Sequence, residues 1–206
     1  MFYIFPNFIP SLKCDQLVED LLKEYTFKEG AVKTADSKLS SKIQQGPDST
    51  YRQGSVAFLK PAHDYIHTTI DDCITKANNN YFNYNIRSLE AVQFTRYQAG
   101  DYYHWHQDWL NTDNRHSRKL SLILNLSDYK DFDGGRLEFF SSTENASGFT
   151  PVRLNGKDYN SEEVRDLAWS KGTVLVFCSR DWHRITPLTK GVRYSIVSWI
   201  SGPNLV

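Results

Sequence analysis

The first third of the chain contains two stretches whose apolar residues recur at helical spacing. Residues 2–9 are mostly apolar and predict a first strand. We expect Ser11 to cap a helix whose buried face consists of Leu12, Leu17, Val18, Leu21 and Leu22. A second helix is predicted to begin at Pro61 and to end at residues 78–80, with its apolar face formed by Ile66, Ile70, Cys73, Ile74 and Ala77.

From Leu89 to Trp199 the chain instead reads as short β-rich segments separated by glycine-containing turns. The predicted strands are 89–97, 102–107, 119–127, 136–140, 149–154, 173–178, 182–186 and 192–200. Two helices followed by a run of short strands favour a mainly β fold, a sandwich or barrel with flanking α-helices as an N-terminal buttress. Without repeats or linkers, we expect one domain over 1–206, with 1–88 as support and loop and 89–200 as the β core.

Two polar segments interrupt this pattern and are candidates for contacts with a substrate. Residues 28–54 are predicted to form either a mobile loop or a lid, followed by a β-like run at 55–59. Residues 141–170 form a long insertion between predicted strands. These segments are the candidate selectors of the substrate, with Trp105, Trp109, Trp169 and Trp182 as candidate walls of its site. Ordinary packing is the favoured alternative for each of these tryptophans.

Charge and cysteine content narrow the function classes. The chain has 24 basic and 24 acidic residues, so its net charge of zero disfavours a nucleic-acid partner and attraction to an anionic membrane. No apolar run approaches the roughly 18 residues that a membrane span needs. Cys14, Cys73 and Cys178 lack C-x-x-C spacing, which predicts reduced thiols. Since the N-terminus also lacks a basic leader, we expect a cytoplasmic protein.

The best candidate for chemistry is a metal site formed by His106, Asp108 and His183. Residues 106 and 108 point to the same side of a strand, and His183 follows another predicted strand. Two histidines and one carboxylate on one face of an octahedron are typical of non-haem iron(II) oxygenases. A structural zinc site would need four ligands, usually including cysteine. An H-x-D pair alone is weak support for either site.

Arg193 and Ser195 strengthen that interpretation. They share a strand face, and a turn at 189–191 is expected to fold their strand back toward the strand that carries His183. A guanidinium can hold a carboxylate with two hydrogen bonds, and a hydroxyl can add a third. The arrangement would suit an acidic cosubstrate that chelates the metal at its other end.

Three sequence blocks together resemble the prolyl 4-hydroxylase-like 2-oxoglutarate oxygenases. Tyr97-Gln-Ala-Gly-Asp-Tyr-Tyr103-His-Trp-His106-Gln-Asp108 resembles the family's Y-x-x-G-x-x-Y-x-x-H-x-D block. The stretch 133–138 is similar to the family's G-G strand opening. The stretch from His183 to Ser195 resembles its closing H-x-V-T-P-V-x-x-G-x-R block. The resemblance covers roughly residues 89–200.

The resemblance implies a double-stranded β-helix (a cupin-like jelly roll) with Fe(II) at its open mouth. It implies His106, Asp108 and His183 as ligands, and Arg193 as the partner of the distal carboxylate of 2-oxoglutarate. Tyr97 and Tyr103 match tyrosines of the family block, and Tyr97 is expected to line the cosubstrate pocket, although both could equally be core aromatics. The tyrosine that assists the arginine in some relatives is missing from residues 120–125, so Ser195 is our candidate substitute.

The implied reaction consumes 2-oxoglutarate and O2 and hydroxylates an unactivated C–H bond, with ascorbate as a further candidate cofactor. Asp108 favours hydroxylation over halogenation, because related halogenases have a small residue there. A prolyl residue of a peptide or protein is the favoured substrate, with a free amino acid or another small molecule as the alternative. A nucleic-acid demethylase is disfavoured, because Trp199 stands where that branch has a second arginine. A jelly-roll binding module without activity is the remaining alternative.

Overall fold

A computed structural model of the chain describes residues 2–34, 44–47, 50–60, 64–110, 115–140, 149–150, 152–154 and 157–204. Within these ranges the helices are α1 (Ser11–Glu24), α2 (Asp64–Ala77) and α3 (Ser161–Trp169). The first strands are β1 (Phe2–Phe5), β2 (Lys28–Glu29), β3 (Ala31–Thr34), β4 (Gln44–Pro47), β5 (Arg52–Gln53), β6 (Ser55–Phe58), β7 (Ser88–Leu89), β8 (Gln93–Gln98) and β9 (Tyr102–His106). They are followed by β10 (His116–Asn125), β11 (Asp133–Gly134), β12 (Leu137–Phe139), β13 (Val152–Leu154), β14 (Lys157–Tyr159), β15 (Val174–Cys178), β16 (His183–Ile185), β17 (Leu188–Lys190) and β18 (Val192–Pro203).

The larger sheet is antiparallel and has the strand order β1-β15-β10-β18-β8-β6-β2, with β7 paired to β18. Its central strand, β18, places Ser195 between Asn125 of β10 and Thr95 of β8. Strands β10, β15 and β18 are largely buried on both faces. Strand β15 is correspondingly apolar throughout, whereas β10 and β18 also bury polar side chains such as Asn125, Arg193 and Ser195. The N-terminal segment extends this sheet through β1, β2 and β6.

The smaller sheet has the order β12-β16-β9-β5 and faces the larger one. It places His183 of β16 directly opposite His106 of β9. Side chains from the facing sides of the two sheets, such as Ile123, Phe139, Phe177 and Ile185, share one buried cluster. The predicted mainly β architecture with two β layers is therefore confirmed.

Helices α1 and α2 cover the outer face of the larger sheet. Leu122 and Leu124 point toward the helices, whereas Ile123 between them points toward the smaller sheet. The helical side of this core is supplied by Cys14, Leu17, Leu21, Ile66, Ile70, Cys73, Ile74 and Ala77. Burying a leucine or isoleucine side chain contributes roughly 1.5–3 kcal/mol to the free energy of unfolding. This cluster therefore lets α1 and α2 stabilise the larger sheet.

Two details of the helix predictions are wrong. Pro10 is the N-cap of α1, and Ser11 is already the first helical residue. Leu12 and Leu22 are exposed, since the side of α1 that faces the sheet is the narrower stripe of Cys14, Leu17 and Leu21. Helix α2 ends at Ala77, immediately before residues 78–80, which agrees with its predicted end. A π-helical turn follows from Asn78 to Phe82, and Asn83 ends this turn in a left-handed conformation. The prediction that α2 begins at Pro61 lies outside the described residues.

The insertion between the late strands contains a helix that the strand pattern did not predict. Helix α3 begins with a capping box, in which Asn160 accepts from the Glu163 amide and the Glu163 side chain accepts from the Asn160 amide. The N-x-x-E spacing at 160–163 is the sequence signal that could have revealed it. Among the described residues, no helix is long and apolar enough to span a bilayer.

The expected fold-back of β18 onto the strand carrying His183 is also wrong. Strand β16 pairs with β9 and β12, whereas β18 pairs with β10, β8 and β7 in the other sheet. Residues 188–190 form a strand of their own, β17, which pairs with β11. The chain then passes through Gly191, at a φ of +79°, into β18. His183 and Arg193 are therefore brought together by the facing of two sheets, not by a hairpin.

Candidate active site

The three predicted metal ligands converge at one end of the space between the sheets. One ligand atom from each of His106, Asp108 and His183 can be chosen so that all lie within 4.8 Å of one another. The Asp108 carboxylate lies between the imidazoles, with Oδ1 at 3.6 Å from His106 Nε2 and Oδ2 at 3.5 Å from His183 Nε2. The spacing suits a single ion that contacts all three side chains.

The orientation of both imidazoles is fixed by the backbone. His106 Nδ1 lies 2.7 Å from the His104 carbonyl oxygen, and His183 Nδ1 lies 2.9 Å from the Asp181 carbonyl oxygen. Since a carbonyl oxygen can only accept, each Nδ1 carries the hydrogen and donates it. Each Nε2 is then left with its lone pair directed at the cluster, as a metal ligand requires.

The protonation states also suit a cation. Burial lowers the pKa of His106 to about 3, so this imidazole is neutral at pH 7. Burial alone would raise the pKa of the Asp108 carboxyl, but His183, His106 and Trp199 outweigh it and hold that pKa below its usual range. Neutral imidazole and ionised carboxylate are the ligand forms that iron(II) binds.

Aromatic rings hold the ligands in place. The Tyr103 ring stacks on the His106 imidazole with centroids 3.5 Å apart, and the Arg52 guanidinium lies 4.6 Å from the Tyr103 ring centroid. On the other side, the Phe177 and His183 rings make an edge-to-face contact, with their centroids 4.8 Å apart. These contacts limit the rotamers open to the ligands, so the site is organised before a metal binds.

Arg193 is buried in the same cavity, with 4% of its surface exposed. It donates from Nη2 to Asn125 Oδ1 at 3.2 Å and from Nη1 to Ser195 Oγ at 3.5 Å. The Tyr97 ring centroid lies 5.9 Å from its guanidinium carbon. Burial lowers the pKa of Arg193 to about 10, which still leaves it charged at pH 7. Among the described residues, no carboxylate pairs with it.

A cavity of about 670 Å³ connects the metal ligands with Arg193. Tyr97, Tyr103 and Ser195 all line it, and so does Trp109. Trp105, Trp169 and Trp182 are not among its lining residues. Of the polar segment 28–54, Lys28, Glu29 and Arg52 contribute to the walls. The described part of the insertion 141–170 contributes none, because α3 lies behind Arg193.

Sequence reasoning missed several residues at this site. Glu90 and Arg118 line the cavity as an ion pair with a nitrogen–oxygen distance of 2.8 Å. The Arg118 guanidinium carbon lies 4.0 Å from the ring centroid of Trp199, which also lines the cavity. Asn125 accepts a hydrogen bond from Arg193, although nothing in its sequence context except the lack of a tyrosine at 120–125 marks this strand. No local pattern could have revealed these positions, since each depends on strands that are distant in sequence.

Comparisons with known proteins agree with this geometry. A family model described as the 2OG-Fe(II) oxygenase superfamily matches residues 92–201. A PKHD-type hydroxylase from Synechococcus sp. (strain CC9902) is 34% identical over 116 residues, which cover 56% of this chain and 43% of that protein. Prolyl 4-hydroxylase 5 from Arabidopsis thaliana is 27% identical over 209 residues, covering 95% of this chain and 66% of the relative.

A solved structure extends the likeness to the fold. It is a prolyl hydroxylase from Trichoplax adhaerens, in complex with a peptide fragment of the hypoxia inducible factor oxygen degradation domain. It has a TM-score of 0.64 at 21% identity and covers 97% of this chain and 82% of that one. The predicted jelly roll is thereby confirmed.

The matched region spans less than half of the PKHD-type relative. Because the family model matches more than half of this chain, the chain belongs to the 2OG-Fe(II) oxygenase superfamily.

Proposed function

We propose that the chain is a 2-oxoglutarate-dependent dioxygenase that hydroxylates a C–H bond of a prolyl residue in a peptide or protein. The observation that carries this proposal is the single cavity that contains both a His-Asp-His cluster and a buried arginine without a carboxylate partner among the described residues. A buried cation of this kind calls for an anion. 2-Oxoglutarate supplies a carboxylate at one end and a metal-chelating 2-oxo acid at the other.

In this proposal His106, Asp108 and His183 hold Fe(II). The family implies Fe(II) as the bound metal and 2-oxoglutarate and O2 as cosubstrates, and ascorbate stays a candidate reductant. When bound, the metal supplies the oxidative chemistry, in which 2-oxoglutarate, O2 and R–H give succinate, CO2 and R–OH. The protein contributes orientation and the exclusion of water. Three protein ligands on one side leave the other positions free for cosubstrate and oxygen.

We assign the distal carboxylate of 2-oxoglutarate to Arg193, with the Ser195 hydroxyl as a second donor. A guanidinium in a dry cavity binds a carboxylate far more strongly than it does in water. Tyr97 and Tyr103 would line the cosubstrate, one beside the arginine and the other against His106. The cosubstrate would thus lie between the two sheets, with its 2-oxo acid end at the metal.

The favoured substrate is a prolyl residue. The relatives with hydroxylase names include a prolyl 4-hydroxylase, and the Trichoplax enzyme was solved with a peptide. In this chain the indoles of Trp109 and Trp199 line the cavity close to Asp108, and flat aromatic surfaces suit an uncharged pyrrolidine ring. The Glu90–Arg118 pair adds groups that could hydrogen-bond to a peptide backbone.

We expect the protein to act in the cytoplasm. Cys14, Cys73 and Cys178 are all free thiols, and free thiols are typical of a reducing compartment. The partner we propose is a peptide or protein substrate, with a small molecule as the alternative. A neutral chain with Trp199 in the cavity wall offers little to a nucleic acid.

A succinate-release screen tests the proposal. Iron-loaded protein would be incubated with 2-oxoglutarate and, in separate reactions, proline-containing peptides, free amino acids and methylated nucleosides, with mass spectrometry of each product. We expect succinate and a product heavier by one oxygen with a proline peptide, and neither with the His183→Ala variant. Hydroxylation of a free amino acid alone would move the substrate to the small-molecule class. Absence of succinate formation and of slow uncoupled 2-oxoglutarate decay under every condition would refute the enzyme assignment.

A further inference from the structure

The Asn125 side chain connects the buried arginine to a helix on the closed side of the cavity. Its Oδ1 accepts from Arg193 Nη2 at 3.2 Å, and its Nδ2 donates to the Ala168 carbonyl oxygen at 2.6 Å. Ala168 lies in the last turn of α3, where carbonyls lack helical partners. Because that carbonyl can only accept, it turns the amide so that its oxygen faces Arg193.

The Asn125 backbone is held as firmly as its side chain. Its N–H donates to the Thr173 carbonyl oxygen at 3.1 Å, and its own carbonyl accepts from the Gly172 N–H at 2.8 Å. The residue is 6% exposed. Both ends of the amide and both backbone groups are therefore fixed, which makes Asn125 a rigid support for the guanidinium.

The chemistry of an amide matters at this position. A carboxylate there would orient Arg193 equally well but would also neutralise it, and an anionic ligand would then have to displace that ion pair. A neutral amide accepts one N–H and leaves the positive charge of Arg193 available. Among the described residues, the polar groups close to Arg193 include Tyr97, Ser195, Asn125 and the partly buried Arg136, and none of these is a carboxylate.

We propose that Asn125 is a positioning residue for the distal carboxylate of 2-oxoglutarate, and that it acts through Arg193. This inference rests on the proposed function, since it takes 2-oxoglutarate as the ligand of Arg193. Residues 120–125 lack the tyrosine that assists the arginine in some relatives. In this chain the Asn125 side chain, hydrogen-bonded to α3, would orient Arg193 instead. Helix α3, which does not line the cavity, thereby contributes to cosubstrate recognition.

Calorimetric titration of 2-oxoglutarate into anaerobic, Fe(II)-loaded protein tests the inference without turnover. Asn125→Ala should weaken binding about tenfold, because Arg193 loses its fixed orientation. Asn125→Asp should weaken it about a hundredfold, because the new carboxylate pairs with the guanidinium. 2-Oxopentanoate has the same chain without the distal carboxylate, so its affinity should change by less than about threefold in both variants.

Asn78 provides a matched control for a purely structural effect. It is another buried asparagine whose amide makes two hydrogen bonds, here with the backbone of Tyr84. Asn78→Ala should lower the melting temperature and leave the affinity for 2-oxoglutarate unchanged. Wild-type affinity for 2-oxoglutarate in Asn125→Asp would overturn the inference and leave the proposed function standing. Failure of the metal-loaded wild-type protein to bind 2-oxoglutarate would instead overturn the proposed function, and this inference with it.

Discussion

His106 and His183 lie directly opposite each other on paired strands, with their ring centroids 4.1 Å apart. Their separation is set by the hydrogen bonds between β9 and β16. Each imidazole also donates from Nδ1 to the backbone carbonyl two residues before it in the chain. The sheet therefore holds two of the three proposed iron ligands at a fixed spacing. Only Asp108, which follows the end of β9, is placed by a loop.

Replacing His183 with alanine should abolish iron retention, because two ligands cannot hold the ion against solvent. Iron content after desalting, measured by elemental analysis, checks this. His104→Ala is the matched control: His104 lies on the same strand as His106, its side chain is outside the cluster, and its carbonyl survives the substitution. Stoichiometric iron in His183→Ala would contradict the ligand assignment.

Replacing Arg193 with alanine should leave iron bound and weaken 2-oxoglutarate binding by about a hundredfold or more. The loss follows from removing a buried charge partner, which typically costs about 2–5 kcal/mol. Calorimetry on the iron-loaded variant gives the affinity, and elemental analysis confirms the metal. Arg184→Ala removes the ion pair with Glu138 and the contact with the Trp105 ring, and none of these residues lines the cavity, so this variant should bind 2-oxoglutarate like the wild type. An unchanged affinity in Arg193→Ala would place the cosubstrate elsewhere.

Tyr103 should influence iron affinity through its ring, since that ring stacks on His106 at 3.5 Å. Tyr103→Ala should weaken iron binding about tenfold, because the imidazole gains rotational freedom, whereas Tyr103→Phe should retain it. Competition with a chelator of known affinity measures both. If phenylalanine weakened iron binding as much as alanine, the hydroxyl rather than the stack would be the important group.

The sequence contained enough information to predict the architecture and the clustering of His106, Asp108 and His183. His106 and Asp108 are two residues apart, so strand alternation predicts that they share a side. Strand β9 ends at His106, and it is the loop after it that brings the Asp108 carboxylate to 3.6 Å from His106 Nε2. The glycine-punctuated strands from Leu89 onward indicated a β fold for the same kind of reason. The resemblance of three spaced blocks then connected His183 and Arg193 to that pair.

What the sequence could not supply was the pairing of distant strands. Arg193 and His183 lie in different sheets, so the hairpin predicted from their separation does not exist. Asn125 meets Arg193 only because β10 and β18 are neighbours, with Asn125 opposite Ser195. Exposure of Leu12 likewise depends on which side of α1 the sheet covers. Each of these follows from tertiary contacts that no short window contains.

The buried cysteines should resist alkylation in the native protein. Burial raises the pKa of the Cys73 thiol from 9.0 to about 12 and that of Cys14 to about 11, while Cys178 is partly exposed. At pH 8 the thiolate fraction of Cys73 is then about a thousandfold below that of an ordinary thiol. Iodoacetamide followed by peptide mapping should label Cys178 first, and all three cysteines after denaturation.

The raised pKa of Cys73 also makes the free energy of unfolding depend on pH. Because the folded state keeps the Cys73 proton up to about pH 12 and the unfolded chain releases it near 9.0, the unfolded chain binds fewer protons in between. The contribution of Cys73 to the free energy of unfolding is therefore complete below pH 9 and is lost as the pH rises toward 12. Urea denaturation of the wild type and of Cys73→Ala at pH 8 and at pH 10 measures this contribution. The free energy of unfolding should fall more between the two pH values for the wild type, because only the wild type has the Cys73 thiol. An equal fall in stability for both proteins would show that the buried thiol does not titrate as its surroundings require.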